Sequence, residues 1–77
     1  MKITLHYHGQ LTTLFGKTEE PLDVASRTVA GLKKELEVFD VRFRESTYQL
    51  AQNNKIINGN TEITEGRMDV FPPFSGG

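Results

Sequence analysis

Only one stretch of this sequence has the periodicity of a long helix, and alternating segments flank it on both sides. Val29, Leu32, Leu36 and Phe39 recur at helical intervals, while Lys33, Lys34, Glu35 and Glu37 fall on the other faces. That pattern predicts an amphipathic helix with one buried stripe. Thr28 stands where an N-cap is wanted. Gly31 costs the helix roughly 1 kcal/mol relative to alanine, so burial of the stripe must hold it. A single stripe needs a partner surface, and the flanking segments supply a sheet.

Ile3, Leu5 and Tyr7 alternate with Thr4, His6 and His8, the period-2 signature of a strand with one buried face. Gly9 breaks it. Leu11, Leu14 and Phe15 then make about one helical turn before Gly16, a favoured residue for ending a turn. Leu22 and Val24 continue a second strand, and Pro21 within it lacks a ladder donor, which places that strand at a sheet edge. Beyond the helix, Phe43 between Arg42 and Arg44 is expected to anchor a loop with the guanidiniums in water. Tyr48 and Leu50 begin a third strand, Asn53-Asn54 is a turn, Ile56-Ile57 is a short fourth strand, and Asn58-Gly59 turns the chain again. Ile63 plugs the following loop. After Glu65-Gly66 comes a last strand in which Met68 and Val70 face one way and Asp69 and Phe71 the other. The order, ββαβββ-like, predicts an α+β fold: a mixed sheet of about five strands with one main helix across one face. In the usual arrangement of this kind the first and last strands pair in the centre.

The chain has 77 residues, room for one small core and no separate catalytic domain. It has no cysteine, which excludes a disulfide scaffold and a zinc-thiolate site. A formal net charge of −1, without a basic run, argues against a general affinity for nucleic acid. No stretch approaches the roughly 18 or more apolar residues of a membrane span, and the start lacks a long apolar h-region. The expectation is a soluble cytoplasmic protein, with no membrane partner.

The last strand runs into Phe71-Pro72-Pro73-Phe74-Ser75-Gly76-Gly77. Paired glycines make the slimmest and most pliable end a polypeptide can have, and the proline pair favours an extended course behind them. The expected division is a domain over residues 1–71 and an extended flexible tail over residues 72–77. From Phe74 to Gly77 such a tail reaches roughly 13 Å at about 3.3 Å per residue, enough to carry a carboxylate into another protein's active site. A frayed terminus is the plain alternative.

With these residues in view the chain resembles the ubiquitin-like sulfur carriers (MoaD/ThiS-like), and among them the small subunits of molybdopterin synthase. The segments that carry the resemblance are Leu11-Thr12-Thr13-Leu14-Phe15-Gly16, Thr28-Val29-Ala30-Gly31-Leu32-Lys33, Ala51-Gln52-Asn53 and, most specifically, the tail. Family members often have arginine and glutamate where Thr12 and Thr13 stand, and an aromatic residue where His8 stands. The resemblance implies a ubiquitin-like β-grasp and a non-catalytic carrier. Gly77 would be adenylated by a ubiquitin-activating-like partner that uses ATP and Mg²⁺, then converted by a persulfide sulfur donor to a thiocarboxylate. The large synthase subunit would take that sulfur for molybdenum cofactor biosynthesis, with no cofactor bound by this chain. Gly76, Ser75, Pro72 and Pro73 would thread the tail, and Phe71, Phe74 and His8 would meet the partner. A thiamine-thiazole sulfur carrier, a protein modifier joined to targets through Gly77, and a plain binding module are the other readings.

The remaining motifs are weaker. Gly16-Lys17-Thr18 lacks the first glycine of a phosphate-binding loop. His6 and His8 share one side of a strand, but without a third ligand they read as a solvated face rather than a metal site. Glu19 and Glu20 are adjacent on a strand and so face opposite sides. Phe71, sent outward by the burial of Met68 and Val70, is expected to be an exposed partner anchor.

Overall fold

The computed structural model describes residues 1–73. Its elements are β1 (Lys2–Tyr7), α1 (Gln10–Phe15), β2 (Glu19–Asp23), α2 (Val29–Phe39), α3 (Arg42–Glu45), β3 (Gln49–Gln52), β4 (Lys55–Ile57) and β5 (Gly66–Phe71). The strands form one sheet in the order β2-β1-β5-β3-β4. β1 and β5 pair in parallel at its centre, and the other neighbours are antiparallel. β2 is an edge strand, and Pro21 lies in it opposite Thr4, so the residue without an N–H has its missing donor where no further strand needs it.

The alternation in β1 and β5 sends Ile3, Leu5, Tyr7, Met68 and Val70 into the core, where Val29, Leu32 and Leu36 of α2 meet them. This is the five-strand β-grasp expected, with the stripe of α2 covering one face. The helix start is satisfied without solvent. Val29 N–H donates to the Thr61 carbonyl at 3.0 Å and Ala30 N–H to the Gly59 carbonyl at 2.9 Å. Gly31 N–H donates to Thr28 Oγ1 at 3.3 Å, so the first three orphan donors of the helix all find partners. The space at Gly31 shows why glycine is tolerated there: a Cβ would stand 2.8 Å from Ser26 Oγ and 3.0 Å from Ser26 Cβ.

The β3–β4 connection is a two-residue turn with Asn53 at φ 53° and Asn54 at φ 62°, the left-handed pair that asparagine tolerates best after glycine. Gln52 is buried with its amide fully used. Nε2 donates to the Thr64 and Arg67 carbonyls at 2.7 and 3.1 Å, and Oε1 accepts from Thr64 N–H at 2.8 Å. That single side chain ties the loop before β5 to the core, and Ile63 in the same loop is buried.

Four expectations need correction. β3 begins at Gln49, the first residue to find a partner in β5, and Tyr48 lies outside the ladder with its ring edge against Phe43. Residues around Phe43 form one helical turn rather than a loop, with Phe43 buried between Phe15 and Tyr48. Arg42 does not keep its guanidinium wholly in water: it bonds Asp40, donates to the Leu14 carbonyl at 2.7 Å and lies over the Phe15 ring. Phe39, the expected last member of the buried stripe, is 47% exposed. It lines a small pocket with Leu22 and Val24 at the β2 edge of the sheet, where no further strand covers it.

Candidate functional site

The tail leaves from β5, which is paired on both sides, so its root is anchored in the middle of the sheet. Phe71 faces away from Met68 and Val70, as alternation requires, but it is half-buried rather than an exposed anchor. Its ring lies flat on that of His8, with centroids 4.4 Å apart and planes within 13°. His8 follows β1 directly, and its N–H donates to the Val70 carbonyl at 3.0 Å. Its Nε2 is 2.8 Å from Asp69 Oδ1, which also accepts from Arg67 Nε at 2.9 Å. Burial pushes the Asp69 carboxyl up, but the hydrogen bonds from His8 and Arg67 outweigh it and hold the group below the usual carboxylate range.

Pro72 packs over Gly9, and Pro73 is exposed. Gly9 has φ +57°, and a Cβ there would stand 3.2 Å from Pro72 Cγ, so both its backbone angle and its lack of a side chain are used. Its carbonyl accepts from Thr12 Oγ1 at 2.7 Å, while Thr13 is exposed on the same short helix. Beside the prolines lies an open groove of about 400 Å³ lined by Gln10, Leu11, Leu14, Ser46 and Thr47. Phe74, Ser75, Gly76 and Gly77, the expected second anchor, threading segment and carboxylate address, lie outside the described residues.

The two histidines are separated by their partners. His8 is engaged by Asp69, and His6 Nδ1 is 3.5 Å from Glu19 Oε1. Among the described residues no group of three or more histidine and carboxylate side chains is arranged to hold a metal ion. Glu20 turns the other way from Glu19, accepting from Tyr7 Oη at 3.3 Å and from Lys17 Nζ at 3.0 Å. Burial and the Glu20 carboxylate push the Tyr7 phenol well above its ordinary range. Gly16 closes α1 in the left-handed conformation, so Gly16-Lys17-Thr18 serves a turn. No helix of the described residues is long and apolar enough to cross a membrane.

Sequence reasoning missed Asp69 and Arg67. The signal was present in part, because alternation places residues 67, 69 and 71 on one face, but their proximity to His8 needs the parallel pairing of β1 with β5.

The model of the ThiS family matches residues 5–77. Among solved structures, the chain is similar to a Pyrococcus furiosus protein assigned as molybdopterin converting factor, subunit 1. The TM-score is 0.80 at 23% identity, over 96% of this chain and 99% of that one. It is also similar to SAMP1 of Haloferax volcanii, with TM-score 0.75 at 18% identity over the whole of both chains. The HVO 2177 protein of the same organism gives TM-score 0.77 at 18% identity, over 100% of this chain and 87% of that one. No curated protein gives a significant sequence match. Fold and family match together define a small ubiquitin-like carrier, either of sulfur or as a protein modifier, of the non-catalytic kind that acts with adenylating partners. The chain belongs to the ThiS family.

Proposed function

We propose that this chain is a sulfur carrier that supplies molybdopterin formation as the small subunit of a synthase in the cytoplasm. The observation that carries the reading is the root of the tail, where a central strand runs straight into Phe71-Pro72-Pro73 with Phe71 and Pro72 braced against His8 and Gly9. A root ordered in this way lowers the entropy lost when the segment enters a partner's channel. Residues 72–77 act as the tail, with Gly76 and Ser75 giving clearance and Phe74 setting depth. Gly77 supplies the reacting carboxylate.

A free carboxylate is a poor acyl donor, because its leaving group would be oxide. In the partner's site a Gly77 carboxylate oxygen attacks the α-phosphorus of Mg²⁺-bound ATP, and pyrophosphate leaves. A persulfide sulfur then displaces AMP at the acyl carbon, and a second donor thiol attacks the inner sulfur, breaking the sulfur–sulfur bond to release the thiocarboxylate and leave the donor as a disulfide. The large subunit takes the sulfur. ATP and Mg²⁺ belong to the adenylating partner in this scheme, and this chain binds neither. The assignment of the Pyrococcus furiosus neighbour points to the same pathway.

The test is intact-mass analysis of the protein taken from cells that contain its own partners, followed by complementation. A terminal thiocarboxylate and restored molybdopterin formation are expected. Conjugates of higher mass would favour the modifier, and restored thiazole formation alone would favour the thiazole carrier. An unchanged mass without complementation would leave a binding module with an inert tail. Adding one residue after Gly77 is expected to abolish transfer with the melting temperature unchanged.

A further inference from the structure

Residues 70, 71 and 72 are each held by the dipeptide that follows β1. His8 N–H bonds the Val70 carbonyl, the His8 ring stacks on Phe71, and Gly9 lies beneath Pro72. The imidazole is itself held in plane, since Nε2 is 2.8 Å from Asp69 Oδ1 and Arg67 Nε holds the same oxygen at 2.9 Å. The His8 side chain is 34% exposed, with its ring stacked on Phe71 and its Nε2 at Asp69.

We propose that His8 is a positioning residue: braced by Asp69, its ring clamps Phe71 and, with Gly9 under Pro72, sets the direction in which the chain leaves the sheet. On the carrier reading above, on which this inference rests, that direction governs how readily the Gly77 carboxylate reaches the adenylating site. His8 thus acts through Phe71. Where an orienting contact is lost, the reacting group spends less time in register and the rate falls, while the fold is kept.

The experiment is a double-mutant cycle between His8→Ala and Phe71→Ala. Its first readout is kcat/KM for adenylation by the adenylating enzyme of the same cell, followed as pyrophosphate release. Its second is the chemical shift and heteronuclear NOE of the Phe71 amide. His8→Ala is expected to lower kcat/KM about 2- to 10-fold, the range of an aromatic pair, and to lower the Phe71 NOE. In the Phe71→Ala background the same change is expected to do nothing further. His8→Phe, which keeps a ring, should retain most of the activity. An equal loss in both backgrounds would mean that His8 touches the partner directly and would overturn the inference. So would an undisturbed Phe71 amide in His8→Ala. If His8→Ala does not fold, Asp69→Asn, which loosens the brace, enters the cycle in its place with the same two outcomes. If the unaltered chain is not adenylated at all, the carrier reading falls, and the clamp is then decided by the Phe71 amide alone.

Discussion

At the scale of single residues, two side chains show how much depends on one polar group or one missing methyl. Gln52 donates to the Thr64 and Arg67 carbonyls and accepts from the Thr64 N–H. Gln52→Leu would keep the volume and strand these groups, so it is expected to cost roughly 2 to 4 kcal/mol, read as a lower urea midpoint with an unchanged m-value. Gly31 makes the opposite point. Helix propensity promises Gly31→Ala a gain of about 1 kcal/mol, but the new Cβ would press on Ser26 at 2.8 to 3.0 Å. We expect no rise in Tm from Gly31→Ala alone, and a rise of a few degrees when it is made in a Ser26→Gly background. A rise in both backgrounds would show that Ser26 yields freely.

At the scale of elements, the short helices are held by their neighbours rather than by their own propensity. α1 and α3 have six and four residues, too few to be stable alone. Arg42 joins them: its guanidinium bonds both Asp40 oxygens, donates to the Leu14 carbonyl and lies 4.7 Å from the Phe15 ring centroid. Its hydrogen bonds lower the Asp40 carboxyl below the usual range. Lysine cannot present that fork. Arg42→Lys is therefore expected to lower the melting temperature measurably, and Arg44→Lys, next door, to leave it unchanged. Equal effects of the two would remove Arg42 from its role as the tie.

At the scale of the whole molecule, stability should depend on acid more than the small net charge suggests. Hydrogen bonds from Ser26 and from the Ala25 N–H lower Glu35, and those from His8 and Arg67 prevail over burial at Asp69. Each carboxyl is thus more acidic folded than unfolded, so the unfolded chain binds more protons as pH falls. Their contribution is present in full above the ordinary carboxylate values near about 4 and is lost as pH drops through the lower folded values. The urea midpoint is expected to fall from about pH 5 downward, and Glu35→Gln with Asp69→Asn should flatten that acid limb. The two carboxylates close distant parts of the molecule, one holding the loop before α2 and the other joining β5 to the end of β1. Acid should accordingly loosen the tail root along with the fold.

The sequence by itself determined which segments are strands and which is the long helix, because alternation and helical spacing are properties of neighbours in the chain. It also determined that Pro21 belongs at an edge, that Asn53-Asn54 turns, and that Phe71 points away from the core, since each follows from one residue's own geometry. The partners of those residues were decided only by the tertiary structure. His8 meets Asp69 across 61 positions, Gly9 meets Pro72, and Gln52 meets the loop before β5, and none of these pairs leaves a mark in local periodicity. The stripe of α2 predicted Phe39 as core, but the width of the sheet, ended by a proline-bearing edge strand, left it half in solvent. Strand order and register are global quantities, set by the single arrangement that buries every apolar face at once, and the candidate site lies where that arrangement brings the two central strands together.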